Sequence, residues 1–125
     1  MKKILIVDND KTTVDTISKM ILTSEEYGVI KTIGAKQVIS EIKKTKPDLF
    51  MIDIMMPGID GITLSERLYN NKSTKNIPIL IFSALNMEAI ISESQIRKRL
   101  PNIKGFLEKP FTIRVLIKKI DSIIK

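Results

Sequence analysis

The chain has 125 residues, 43% of them hydrophobic and 28% charged, with 21 Lys and Arg against 14 Asp and Glu. Such a composition fits one globular domain, about two thirds of whose unfolded surface is buried on folding, and excludes a disordered or membrane-spanning polypeptide. There is no cysteine and no histidine, which excludes disulfides, thiolate or imidazole metal ligands and imidazole acid–base chemistry, so any metal must be held by oxygen. No apolar run approaches the ~18 residues of a membrane span, and no leader with a small-residue cleavage site precedes the first strand; a cytoplasmic protein without membrane contact is expected. The net charge of +7 could favour an acidic partner or nucleic acid. The lysines are nevertheless spread over nearly every expected helix. Only Arg97-Lys98-Arg99 with Lys104 forms a cluster, read as a solvated surface in preference to direct nucleic-acid contact.

In chain order, Lys2 to Val7 carries the β-branched run Ile4-Leu5-Ile6-Val7 and predicts a buried strand that ends at Asp8, with Asn9 and Asp10 beyond it. Val14, Ile17 and Ile21 recur at helical spacing from Thr12 to about Thr23, with Asn9, Asp10 or Thr12 available as the cap and Gly28 closing the segment. Val29 to Ile33 is a short strand ended by Gly34. Ala35 to Lys44 is a helix with Val38, Ile39 and Ile42 inward, stopped by Lys46-Pro47.

Asp48 to Asp53 is the central stretch. Leu49-Phe50-Met51-Ile52 runs apolar without alternation, as expected of a strand covered on both faces, and Asp53 stands where it ends. Pro57, Gly58 and Gly61 mark an irregular loop, proline lacking a donor and glycine permitting positive φ. Leu64 and Leu68 mark a short helix before the polar turn Asn70-Asn71-Lys72-Ser73. Ile77 to Phe82 predicts a fourth strand, with Ser83-Ala84 at its end. Met87 to about Arg99 is a helix whose Ile90 and Ile91 fall out of phase with Ile96 and Leu100. Lys104 to Leu107 is a short fifth strand ended by Glu108-Lys109-Pro110. The last helix, Thr112 to Ile124, is capped by Thr112 and carries Ile113, Leu116, Ile117, Ile120, Ile123 and Ile124 on one stripe. Strand and helix thus alternate five times, which predicts an α/β domain with a doubly wound parallel sheet spanning residues 1–125.

In such sheets ligands bind beyond the carboxyl ends of the strands, and that rim here holds Asp8 and Asn9, Asp53, Ser83 and Lys109. Each is commonplace alone: an Asp at a strand end is most often a turn or cap residue, and a Ser there usually caps the next helix. Together, however, Ile6-Val7-Asp8-Asn9-Asp10, the Asp53 segment with Met56-Pro57 and Gly61, Ser83-Ala84, and Lys109-Pro110-Phe111 resemble a bacterial response-regulator receiver domain along the whole chain.

The resemblance implies a flavodoxin-like fold with strand order 2-1-3-4-5. It also implies a phosphoacceptor signalling role, not a turnover enzyme. Asp53 would take a phosphoryl group from a phosphohistidine on a sensor histidine kinase or a phosphotransfer protein. Mg2+ would be held by Asp8, the Asn9 position, Asp53 and the backbone carbonyl of Met55, screening donor and acceptor oxygens. Lys109 and Ser83 would contact phosphoryl oxygens, through a Lys109–Pro110 peptide that is usually cis in the family. Ser83 and the aromatic Phe106 would form the switch. An output protein or effector domain, or a second copy, would dock on the face of the fourth helix, fifth strand and fifth helix.

Asn9 departs from the pattern, since the family usually has an acidic metal ligand there; weaker magnesium binding and slower phosphoryl uptake are expected, with Asp10 either compensating or capping the first helix. Met55 and Leu85, two residues beyond Asp53 and Ser83, cannot orient a water, so slow autodephosphorylation is expected. The interval from Ser83 to Lys109 is a few residues longer than usual, which places an extension containing Arg97 to Pro101 on the fourth helix and its following loop. An interaction module that works without phosphorylation is the alternative that Asn9 motivates. An Asp-nucleophile phosphatase of the haloacid dehalogenase type would need an Asp where Met55 stands. A nucleotide-binding flavodoxin-like protein would want a glycine- or serine-rich loop in place of Asn9-Asp10-Lys11.

Overall fold

A computed structural model describes residues 1–84 and 93–125 of the chain. Its elements alternate in the order β1 (Lys2–Asp8), α1 (Lys11–Leu22), β2 (Tyr27–Ile33), α2 (Gly34–Glu41), β3 (Leu49–Asp53), α3 (Gly61–Tyr69), β4 (Ile79–Ser83), α4 (Glu93–Arg99), β5 (Ile103–Glu108) and α5 (Ile113–Ile124). All neighbouring strands are parallel, in the order β2-β1-β3-β4-β5. This is the doubly wound arrangement that strand–helix alternation predicts.

The pleat sorts the strand residues into two apolar layers. Leu5, Val7, Phe50, Ile52, Ile79 and Ile81 pack with Val38, Leu64, Leu68 and Ile96, so α2, α3 and α4 cover one face. Ile4, Ile6, Leu49, Met51, Leu80 and Phe82 pack with Val14, Ile17, Leu116 and Ile120, so α1 and α5 cover the other. Unbroken apolar runs were the consequence of burial on both sides. Each such side chain contributes roughly 1.5–3 kcal/mol on transfer from water.

Caps fix where the helices begin. Asp10 accepts hydrogen bonds from the Thr12 amide and the Thr13 hydroxyl, which selects it among the three candidate caps of α1. Asp60 does the same for α3 through the Thr63 amide at 2.8 Å, and Thr112 for α5 through the Val115 amide.

Several boundaries differ from the sequence reading. Gly28 does not close a segment; it lies inside β2, paired with Lys3, because β2 begins at the buried Tyr27. Helix α2 stops at Glu41, not Lys44, and a turn leads into Pro47, whose ring disfavours helical backbone just before it. Strand β4 starts at Ile79, not Ile77, since Pro78 offers no amide to the ladder. Ile113 is 45% exposed and lies off the buried stripe of α5, which is Leu116, Ile120 and Ile124. Residues 85–92 lie outside the described part, so the expectations for Leu85, for a helix beginning at Met87, and for Ile90 and Ile91 do too. Among the described residues no helix is long and apolar enough to cross a membrane.

Candidate functional site

The strand order places β1 beside β3, and the register Val7↔Ile52 puts Asp8 and Asp53 one step further along at the same rim. Both are buried, at 2% and 5% exposure. Two carboxylates held this close in a water-poor position repel, and a cation must answer them. Lys109, arriving from the end of β5, sets its Nζ 3.4 Å from Asp8 Oδ2 and 4.0 Å from Asp53 Oδ1. The same ammonium lies 5.0 Å from the centre of the Phe82 ring.

One ammonium against two carboxylates leaves a deficit of positive charge. Burial, and next the negative charge of Asp8, push the Asp53 carboxyl up to about 6, while Lys109 and a hydrogen bond from the Met55 amide act in the opposite direction. The donor chemistry suits a hard divalent cation: two buried carboxylates, an amide oxygen at Asn9 and a backbone carbonyl at Met55, all oxygen. Asn9 and the Met55 side chain are exposed. Asp10 gives its carboxylate to the α1 cap, and its own amide donates to Asp8 Oδ1 at 3.1 Å, so it orients Asp8 without adding a third carboxylate to the pair. Among the described residues, no three carboxylates gather at one point.

Ser83 is fully buried at the end of β4 and pairs with Glu108 of β5. Its carbonyl accepts from the Lys109 amide at 2.8 Å, which ties the two residues through their backbones. The Lys109–Pro110 peptide is cis. Phe106 is buried, with the Arg97 guanidinium 5.6 Å from its ring centre. Arg99 pairs with Glu66 at 2.7 Å, while Lys98 and Lys104 stand exposed, so the basic cluster of the sequence is divided among separate roles.

Three contributions were missed in the sequence. The amide of Met55 was one, since backbone donors leave no residue signature. Phe82 under Lys109 was another, hidden in an apolar run. The third is Gly61: a Cβ there would lie 2.3 Å from the Asp53 carbonyl oxygen and 2.9 Å from Ile54 Cα. Its place depends on close approach of backbone to backbone, whereas Gly58, at φ 83°, does have the positive φ expected of a loop glycine.

An open parallel α/β sheet in the order 2-1-3-4-5, with paired acids and a lysine at its carboxyl rim, defines a flavodoxin-like domain, and known proteins narrow the class. Residues 4–121 match the response regulator receiver domain, and the chain belongs to that family, the receivers of two-component systems. It is 27% identical over its full length to the DNA-binding dual master transcriptional regulator RpaA of Synechocystis, of which it spans 50%. It is 26% identical to Protein PilH of Pseudomonas aeruginosa, covering 98% of that protein. Among solved structures, chemotaxis protein CheY4 of Vibrio cholerae shares the fold with a TM-score of 0.85 at 23% identity, 98% of each chain being covered. The receiver domain of sensor histidine kinase PA1611 from Pseudomonas aeruginosa, with magnesium coordinated in its active site cleft, has a TM-score of 0.79 at 20% identity and covers 98% of this chain and 97% of that one.

Proposed function

We propose that Asp53 accepts a phosphoryl group from the phosphohistidine of a sensor histidine kinase or phosphotransfer protein. The observation that carries this reading is the buried Asp8–Asp53 pair with Lys109 within 4.0 Å of Asp53, at the open rim of the sheet. Asp8, Asp53, the Asn9 amide and the Met55 carbonyl would hold Mg2+, which when bound supplies the charge that lets two sets of negative oxygens approach. An Asp53 carboxylate oxygen attacks phosphorus in line. The phosphorus–nitrogen bond breaks, and its electron pair stays on the donor imidazole. Lys109 transfers its ammonium from the two carboxylates to a phosphoryl oxygen, and the Ser83 hydroxyl donates to another.

The acyl phosphate carries about −1.5 to −2 charges beside Ser83, where the free carboxylate carries at most −1. That charge biases Ser83 and Phe106 between two arrangements, and the face of α4, β5 and α5 carries the result to an output protein, an effector domain or a second copy. Asn9 removes one negative charge from the metal position, so magnesium binds more weakly than to an Asn9→Asp variant. The Met55 side chain, 57% exposed, has no group that orients a water for hydrolysis, and the acyl phosphate is long-lived.

Intact-mass measurement after incubation with magnesium and a small-molecule phosphodonor tests this reading. One phosphoryl adduct is expected on the wild type, none on Asp53→Asn, and faster uptake at low magnesium on Asn9→Asp. An adduct found only on Asn9→Asp would favour the phosphorylation-independent interaction module. Decay of the wild-type adduct within seconds would overturn the long-lived signal.

A further inference from the structure

At the pole opposite Asp53, the connections entering β3 and β4 enclose a groove of about 230 Å³. Lys43, Lys44 and Lys46 line it from the α2–β3 connection, Ser73 and Thr74 line it from the α3–β4 connection, and the buried Pro47 and Ile77 are also part of its wall. Lys72 and Lys75 flank the second connection, both exposed, with the Lys75 ammonium 5.0 Å from the centre of the Tyr69 ring. Among the described residues no carboxylate lies within ion-pairing distance of Lys43, Lys44, Lys46 or Lys72. The nearest acids in sequence are Glu41, at the end of α2, which forms no ion pair with these lysines, and Asp48, which accepts from the Lys3 amide at 2.8 Å. Since β3 is five residues long, roughly 15 Å of strand separates this pole from the acidic rim.

We propose that this groove is a second binding site, for a ligand carrying consecutive phosphate groups. Three features select that chemistry. The groove is smaller than the ~300–1,000 Å³ that usually holds an organic ligand, so it fits a short row of small charged groups better than an aromatic or sugar body. Its cations are all lysines, whose ammonium groups are flexible point charges with three rotatable donors that can follow successive tetrahedral phosphates. The lysines also stand on two separate connections, so a chain-like polyanion laid across the groove meets positive charge from both sides.

Fluorescence anisotropy of the 125-residue chain with a labelled single-stranded oligothymidine, and competition by inorganic tripolyphosphate, test the site. Binding should weaken with salt at a slope of about −2 in log K against log [salt], as three neutralised phosphates require on a single strand. The double variant Lys44→Glu with Lys46→Glu should lose about tenfold or more in affinity. Lys118→Glu with Lys119→Glu, the same change of net charge placed on α5, should stay within about twofold of the wild type. These four side chains point outward or lie on partly exposed surface, and matching urea midpoints establish that both variants fold. Displacement of the oligothymidine by tripolyphosphate at comparable affinity would identify free phosphate chains as sufficient; weak displacement would identify the nucleic-acid backbone as the source. Equal loss in both double variants, an oligoglutamate that binds as tightly as the oligothymidine, or no binding at low salt would each overturn the proposal. Phosphoryl uptake at Asp53 should be the same in both double variants and the wild type.

Discussion

Gly61 sets the geometry of Asp53 from a distance of eight positions along the chain. Its amide donates to the Ile54 carbonyl at 2.9 Å, and its missing side chain lets the start of α3 rest on the Asp53 peptide. A methyl group there has only backbone to push against. Gly61→Ala is therefore expected to lower stability by about 1–3 kcal/mol, by the overpacking route, and to slow phosphoryl uptake at Asp53 beyond what the stability loss explains; urea titration and intact mass check the two effects. The sequence shows which acids stand at strand ends, because Asp8 and Asp53 each follow an apolar run. It does not show Gly61's role, because a close approach between segments leaves only a glycine, and the Pro57–Gly61 loop offered a different reason for one. Asp10 was legible only as one cap among three, since Asn9 and Thr12 share its chemistry.

Between elements, Tyr27 at the start of β2 donates its hydroxyl to Asp121 of α5, and Lys125 pairs with both Glu26 and Asp121. This polar tie fastens the last helix to the edge of the sheet. Burial, the hydrogen bond to Asp121 and the charges of Asp121 and Glu26 raise the Tyr27 phenol above its ordinary value of 10.0. The folded state thus holds the phenolic proton more tightly than the unfolded chain does. Its stabilisation is complete below about pH 10 and is lost as the pH rises further, toward the folded value. Tyr27→Phe should cost about 1 kcal/mol at pH 8, and the gap to the wild type should narrow by pH 11, as read from urea midpoints of the two proteins at both pH values. A gap that widened with pH would reverse the sign of this tie. The same region shows why strand β2 was only partly legible: Gly28 suggested a terminator, yet edge strands tolerate glycine when a neighbour such as Tyr27 supplies the buried contact.

For the molecule as a whole, the strand order is the decisive feature, because it sets the two acids side by side at the point where the winding reverses. The sequence carried this well. Five apolar runs separated by helical periodicity leave few ways to build a sheet, and right-handed crossovers remove most of the remainder. Lys109 was legible as a rim residue, but its ion pairs with Asp8 and Asp53 were not, since they depend on how far its side chain reaches across β4. Placing Asp8 and Asp53 together costs the metal-free protein stability, and Asp53→Asn, which keeps the shape but removes one charge, should raise it by about 1–2 kcal/mol at neutral pH with a chelator present. On the proposed metal site, magnesium should narrow that difference, because it would bind the wild type more tightly than the variant. Thermal or urea unfolding with and without the metal measures both quantities; a less stable Asp53→Asn without metal would mean that Lys109 already satisfies the pair.

The amide of Lys109, bonded to the Ser83 carbonyl, gives the site a built-in observation point. One N–H vector runs from the residue just after β5 to the last residue of β4, so the residues that carry the ammonium and the hydroxyl of the rim share a single backbone hydrogen bond. Any event that pulls Ser83 toward the rim or draws the lysine away changes the length of that bond, and with it the chemical shift and solvent exchange of one proton. A lone resonance in a nitrogen–proton spectrum would then follow the state of Asp53 without a label on the acid itself.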